Sequence, residues 1–239
     1  MQRIFAPRAP LVSRTAQIEP IWFEWLAMAG LFIFAGWLLG IQGVWTLLLR
    51  SDPTGITLVI MVVFAASTLW SGVRSRELMV QRHALEAAAG RADPTHARPE
   101  GGAAEAWAAE YWAALAAAPR DSGAPLDLLL ERTHGPHSTA WWVNGIQLKL
   151  GLLGKVIGFS MLALQIGQMQ NFDPSQSQDL LRSLTTGLGV ALLTTMVGLV
   201  GNILLGLQLT RLDRYADELV AQAQRHGITL GSRAPGASS

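Results

Sequence analysis

Four long apolar runs govern what this chain can fold into. They extend roughly from Ile21 to Leu49, from Gly55 to Val73, from Trp141 to Met169 and from Leu181 to Leu209. A helix rises about 1.5 Å per residue, so about 20 apolar residues cross the hydrocarbon core of a bilayer. Inside lipid every backbone N–H and C=O must be paired within the protein, which leaves helices as the form such runs can take. The expected fold class is therefore an all-α integral membrane protein with four transmembrane helices. A helical cytoplasmic loop and a cytoplasmic extension of the last helix complete it.

The first run is too long for a signal-peptide core, and no small-residue cleavage site follows it. The third run contains Asn144, Gln147, Lys149 and Lys155. A surface-lying amphipathic helix is the alternative there, but Leu150 to Ile166 is apolar all round. Charged residues make up only 15% of the chain, against about 25% in soluble domains. The net charge of +1 gives no basic footprint for nucleic acid. The absence of cysteine excludes disulfides, thiolate metal sites and cysteine nucleophiles. No zincin, hydrolase-elbow, phosphate-loop or dinucleotide motif occurs. The pair His134 and His137 has a spacing seen in metal sites, but no acid or thiol completes it. No catalytic residue, metal or cofactor is expected, and the chain does not read as an enzyme.

Basic residues orient the runs. Arg3, Arg8 and Arg14 precede the first, seven arginines from Arg74 to Arg132 lie between the second and third, and Arg211, Arg214, Arg225 and Arg233 follow the fourth. The short turns hold only Arg50 and Arg182. The positive-inside rule then puts both termini and the long middle loop in the cytoplasm. The expected organisation is a cytoplasmic segment 1–20, a membrane hairpin 21–73, a cytoplasmic helical loop 74–140, a channel-forming helix pair 141–210, and a cytoplasmic helix with disordered tail 211–239. Within the loop, Arg74 to Ala89 continues the second span, Gly90 to Gly102 is a Pro- and Gly-rich linker, and Ala103 to Ala118 and Leu126 to Arg132 read as separate helices. Leu212, Ala216, Leu219 and Ala223 recur at helical spacing, predicting one packed face beyond the fourth span. Tryptophans 22, 25, 45, 70, 141 and 142 fall near span ends, as an interfacial belt would.

Lys155 is the most informative residue. It falls near the middle of the third run, where a charge costs roughly 2.5–3.5 kcal/mol even on lenient insertion scales. Half the hydrocarbon thickness is about 15 Å, too far for a lysine stem to snorkel. Such a group is expected to face the bundle interior and to have a partner. Glu24, Asp52, Asp173 and Asp179 all lie near span ends or in turns, so a carboxylate on another chain is the simplest candidate. In the fourth run, Gly187, Ala191, Thr195, Gly198, Asn202 and Gly206 recur at steps of four, four, three, four and four, which keeps them on one face. Gly151, Gly154 and Gly158 form a similar strip around Lys155. Small faces let membrane helices approach closely, and Thr194, Thr195 and Asn202 can hydrogen-bond across.

Two segments here resemble the MotA/TolQ/ExbB family of ion-driven stator and energy-transducing channel subunits. Gly151-Leu-Leu-Gly-Lys-Val-Ile-Gly158 is similar to the family's G-L-x-G-T-V-x-G, and Ala191-Leu-Leu-Thr-Thr-Met-Val-Gly-Leu199 to its A-L-x-x-T-x-x-G-L. With the order of spans, the likeness covers roughly Trp141 to Leu219, and two spans before the loop look more like the MotA arrangement. The resemblance implies a homopentamer in the bacterial inner membrane around ExbD-, TolR- or MotB-like single-span partners, each with an intramembrane Asp. Ions, most simply protons, would pass that Asp and the inward threonines, Thr195 matching one directly. Lys155 stands where the family has its other inward threonine, and Val190 where some members carry an acid. A charged Lys155 beside a partner Asp would form an ion pair and repel a cation; a deprotonated amine could join a relay. Two readings follow: a proton-driven transducer, and a non-conducting scaffold of the same fold in which Lys155 locks a partner carboxylate. An inverted-repeat transporter is disfavoured, because the two halves show no matching broken helices.

Overall fold

The computed structural model describes residues 21–52, 54–89, 107–117, 123–167 and 174–233. The expected N-terminal segment, the Pro- and Gly-rich linker and the end of the tail lie outside those residues. All six elements are helices: α1 (Ile21–Ile41), α2 (Val44–Ser51), α3 (Ile56–Ala89), α4 (Trp107–Ala117), α5 (Gly123–Gly167) and α6 (Pro174–Arg233). Among the described residues four helices, α1, α3, α5 and α6, are long and apolar enough to cross a membrane. Their outer surfaces carry exposed Leu31, Ile33, Val62, Leu69, Leu164, Leu192 and Ile203, the pattern of a bundle solvated by hydrocarbon rather than by water.

The first apolar run, expected to be one span, is broken. Gly43 adopts φ 72, a left-handed conformation that ends α1 and that a side chain would resist. Trp45 then folds back and donates from Nε1 to Gly36 O at 2.8 Å. After α2, the Asp52 carboxylate accepts from the backbone of Thr54 at 2.9 Å in the turn and of Thr57 at 2.6 Å, satisfying a free donor in the first turn of α3.

The second departure concerns α5. Leu126 to Arg132, expected as a separate short helix, is continuous with the third span despite Pro136 inside the helix. A proline there removes one backbone N–H and strands the carbonyl four residues earlier, that of Arg132. Arg74 reaches across from α3 and donates from Nη2 to Arg132 O at 2.6 Å and to Thr133 O at 3.0 Å. The broken ladder is thus mended from a neighbouring helix.

Beyond the spans, α3, α5 and α6 project together and α4 closes them into a small helical collar. Its core is Leu85, Ala88, Ala108, Tyr111, Trp112, Leu129, Leu219, Val220 and Ala223. Trp112 is 2% exposed and donates from Nε1 to Ala223 O at 2.8 Å. Arg132 grips Glu110 of α4 with two bonds of 2.5 and 3.1 Å. Leu212, Ala216, Leu219 and Ala223 of α6 are all buried, the first two beside Leu78 and Tyr215 in an adjoining cluster.

Candidate helix seam and lysine site

The α5/α6 pair makes the most extensive contact in the fold, because glycine lines both sides of it. A Cβ built on Gly158 would lie 2.9 Å from Ala191 N and 2.9 Å from Gly187 O. One on Gly198 would meet Gln147 O at 2.8 Å, and one on Gly151 would meet Thr194 O at 3.1 Å. Gly154 faces the Thr194 side chain, Gly187 faces Gly158 O and Leu162, and Gly206 faces Asn144 Nδ2 at 3.3 Å. These backbones touch directly over about three turns, the arrangement that small-residue strips permit in membranes.

Hydroxyl and amide groups stitch the seam. Asn202 Nδ2 donates to Asn144 O at 2.9 Å. Thr195 Oγ1 donates to Ala191 O at 2.8 Å, with a longer contact to Gly151 O at 3.3 Å. Thr194 is fully buried against Gly154 and donates to Val190 O at 2.8 Å. Thr194 is thereby part of the packing, not of any exposed edge.

Lys155 does not face the interior of its own bundle, contrary to expectation. It is exposed on α5 among exposed Leu152, Leu153, Val156 and Phe159, and its Nζ lies 6.0 Å from the Phe159 ring centroid. The reason is angular. Gly151, Gly154 and Gly158 turn toward α6, and Lys155 follows Gly154 by about 100° around the helix. Thr195 and Asn202 are offset from the seam line of α6 by about 50–70° at helical spacing. Because the helices run antiparallel, these offsets and that of Lys155 fall on the same side of the seam. The opposite side is covered by α3, whose Phe64 lies beside Gly201. Lys155, Thr195 and Asn202 therefore share one open edge, with Thr195 about one turn from Lys155 in depth. No carboxylate among the described residues forms an ion pair with Lys155.

Three polar features have surroundings that the sequence does not reveal. Gln208 of α6 is 4% exposed; its Oε1 accepts from Ser71 Oγ at 2.9 Å and its Nε2 donates to Thr68 Oγ1 at 3.2 Å. Gln147 is completely buried at the seam, and neither of its amide atoms has a hydrogen-bond partner among the described residues. The histidines 134 and 137 do meet acids: His134 Nε2 lies 3.0 Å from Asp217 Oδ1 and His137 Nδ1 lies 2.7 Å from Asp213 Oδ1. The signal available in sequence was Asp213 and Asp217 about one turn apart, as His134 and His137 are. Even so, no group of three or more such side chains among the described residues could hold a metal ion.

Two of the tryptophans expected at span ends anchor to protein. Trp25 Nε1 donates to Thr68 O at 3.0 Å, and Trp141 Nε1 to Asp213 Oδ2 at 2.8 Å. Comparison with protein-family models, with characterised proteins and with solved structures finds no match to this chain.

Proposed function

We propose that this chain is the ring-forming subunit of a proton-driven motor or channel in a bacterial inner membrane, acting with a single-span partner that presents a carboxylate at mid-membrane depth. The observation that carries this reading is the exposed Lys155 on a helix apolar enough to cross the bilayer. A cation in hydrocarbon needs a counter-charge, and this one points away from its own chain. Thr195 and Asn202 on the same edge supply polar neighbours for a partner helix. The resemblance of the 151–158 and 191–199 segments to MotA/TolQ/ExbB subunits supports a pentameric ring with that edge turned toward its lumen. The arginine distribution supports cytoplasmic termini and a cytoplasmic collar. Work done on the partner would then reach the cell envelope through the partner's outer domain.

A non-conducting scaffold is the second reading, and one observation favours it. On that edge the Thr195 hydroxyl already donates to the backbone carbonyl of Ala191 and the Asn202 amide to that of Asn144, so Lys155 is the group there left to bind a partner carboxylate. There the lysine would hold the partner carboxylate in a static pair.

The deciding experiment purifies the tagged chain gently from its native host with its co-purifying proteins. Native mass spectrometry then gives stoichiometry, and reconstitution in liposomes gives proton flux. A five-to-two complex with a single-span chain, together with uncoupler-sensitive flux altered by Lys155→Thr and Lys155→Ala, is the expected result. An assembled complex without flux, which Lys155→Ala dissociates, would establish the scaffold instead. A monomer with no second chain would overturn both readings. Removing one side of a buried ion pair costs about 3–5 kcal/mol, so dissociation of the variant should be readily detected.

A further inference from the structure

The mended proline break in α5 is wired to a titratable group. His137, one residue after Pro136, is 2% exposed at the junction of spans and collar. Its two ring nitrogens face opposite charges. On the α6 side, Nδ1 lies 2.7 Å from Asp213 Oδ1, and the other Asp213 oxygen accepts from Trp141 Nε1. On the α3 side, Arg74 Nε donates to Nε2 at 3.4 Å. A guanidinium has no lone pair to offer, so Nε2 must accept and Nδ1 must carry the hydrogen that bonds Asp213. The ring is held as one neutral tautomer.

Arg74 has no slack. Its Nη1 pairs with Glu77 at 2.6 Å, its Nη2 holds the carbonyls of Arg132 and Thr133, and its Cζ lies 5.3 Å from the Trp107 ring centroid of α4. Around this pair the remaining charged groups are His134 on α5, which reaches Asp217 on α6, and Arg132 on α5, which is bound to Glu110 on α4. The His134 and His137 ring centroids are 5.9 Å apart, and the edge of Trp70 closes the α3 side. His134 and Asp217 are solvent-reached, with side chains 30% and 72% exposed.

We propose that His137 is a proton-binding site that controls a hinge at Pro136, Arg74 being the clasp. When a proton binds, Nε2 becomes a donor facing the Arg74 donor, and two cations meet in a buried site. The imidazolium keeps Asp213; the guanidinium withdraws toward Glu77. Its departure strands the carbonyl of Arg132, whose partner four residues on is a proline with no N–H to give, and α5 bends there. The collar segment of α5 then swings on the span segment, which stays locked to α6 through the glycine seam, while α6, which has no internal proline, does not hinge. Burial holds the His137 pKa below the ordinary histidine value, the Asp213 hydrogen bond and charge only partly opposing it. The clasp therefore stays closed at neutral pH and opens on acidification. This inference stands on the Arg74 and Pro136 geometry and does not depend on the chain's being a proton-driven transducer.

The chain has no cysteine, so single introduced cysteines label cleanly. Spin labels at Leu128→Cys and Val156→Cys, both exposed and on opposite sides of Pro136, stand about 42 Å apart along a straight helix of 28 residues. Electron–electron distance measurement is made on full-length protein in nanodiscs, diluted with unlabelled chain, from pH 8 to pH 5. The wild type should give one distance at pH 8 and a shorter, broader distribution at pH 5. His137→Gln should hold a single pH-independent distribution, and Arg74→Gln should give the broad one at every pH. Asp213→Asn, which keeps the histidine but removes its attracting charge, should move the midpoint down by about one pH unit or more. A pH-invariant wild-type distance, or an unchanged transition in His137→Gln, would overturn the proposal. So would a midpoint in Asp213→Asn equal to that of the wild type, which keeps the test decisive if His137→Gln fails to fold.

Discussion

At Gly158 two backbone atoms of α6 press equally close on the seam, and one methyl group there tests the packing argument. A Cβ at this position would sit 2.9 Å from two backbone atoms of α6, against an ordinary contact of 3.4 Å, a deficit of 0.5 Å. Neither Ala191 N nor Gly187 O can rotate away as a flexible side chain would, so α5 must retreat from α6 by about that distance. A gap of 0.5–1 Å forfeits roughly a quarter to a half of each dispersion well along the seam, and overpacking costs typically about 1–3 kcal/mol. Alanine recovers about 0.8–1 kcal/mol over glycine in a helix interior. With the dispersion loss added to the overpacking cost, the gain is outweighed, and Gly158→Ala should destabilise the chain by up to about 2 kcal/mol. Gly189→Ala is the control: nothing lies within 4 Å of its Cβ, so the same substitution should be neutral or gain up to about 1 kcal/mol. Reversible unfolding in mixed micelles, followed by the fluorescence of the nine tryptophans under conditions where the chain is monomeric, measures both. The reasoning fails if Gly158→Ala falls within about 0.3 kcal/mol of wild type, since overpacking against backbone should exceed that, or if Gly189→Ala is equally harmful.

Gln147→Met should stabilise the fold by about 1–2 kcal/mol in the same unfolding assay, because it removes a buried amide with no partner among the described residues at little change in volume; a loss of stability would show that the amide is bonded. Trp112→Ala should cost about 3–5 kcal/mol and open the collar, seen as rapid proteolysis around α4 while the spans stay protected. Stability should also fall with acid through His137. Its folded pKa lies below the unfolded value of 6.5, so the unfolded chain takes up the proton first. The contribution is complete above pH 6.5 and is lost as pH falls through the folded value. Unfolding of wild type and His137→Gln between pH 8 and 5 checks this, and parallel curves would refute it.

The four spans were legible because hydropathy summed over about 20 residues needs no knowledge of register. The strips at Gly151, Gly154, Gly158 and Gly187, Ala191, Gly198 were legible as faces, since steps of three and four define a helix side whatever packs on it. The direction of Lys155 was not. Sequence gave its depth, but the glycines' claim on the α6 side decides where the next residue must point. The length of α5 was not legible for an equally local reason: a proline inside a helix ordinarily breaks it, and the side chain that offsets Pro136 comes from α3, 58 residues from Arg132. The His137–Asp213 pair joins residues 76 apart, which only the antiparallel register of α5 and α6 brings into contact.

The unbroken length of α6 has a mechanical meaning. Its 60 residues form one rod about 90 Å long, and from Thr195 to Arg233 it extends about 57 Å. A tilt of about 5° at the depth of the seam would sweep the far end through about 5 Å, the pitch of one helical turn. The collar would act as the long arm of a lever whose fulcrum is a glycine contact too tight to slip. Side-chain-sized adjustments beside Lys155 would be read out beyond the spans as displacements large enough to change which residues meet.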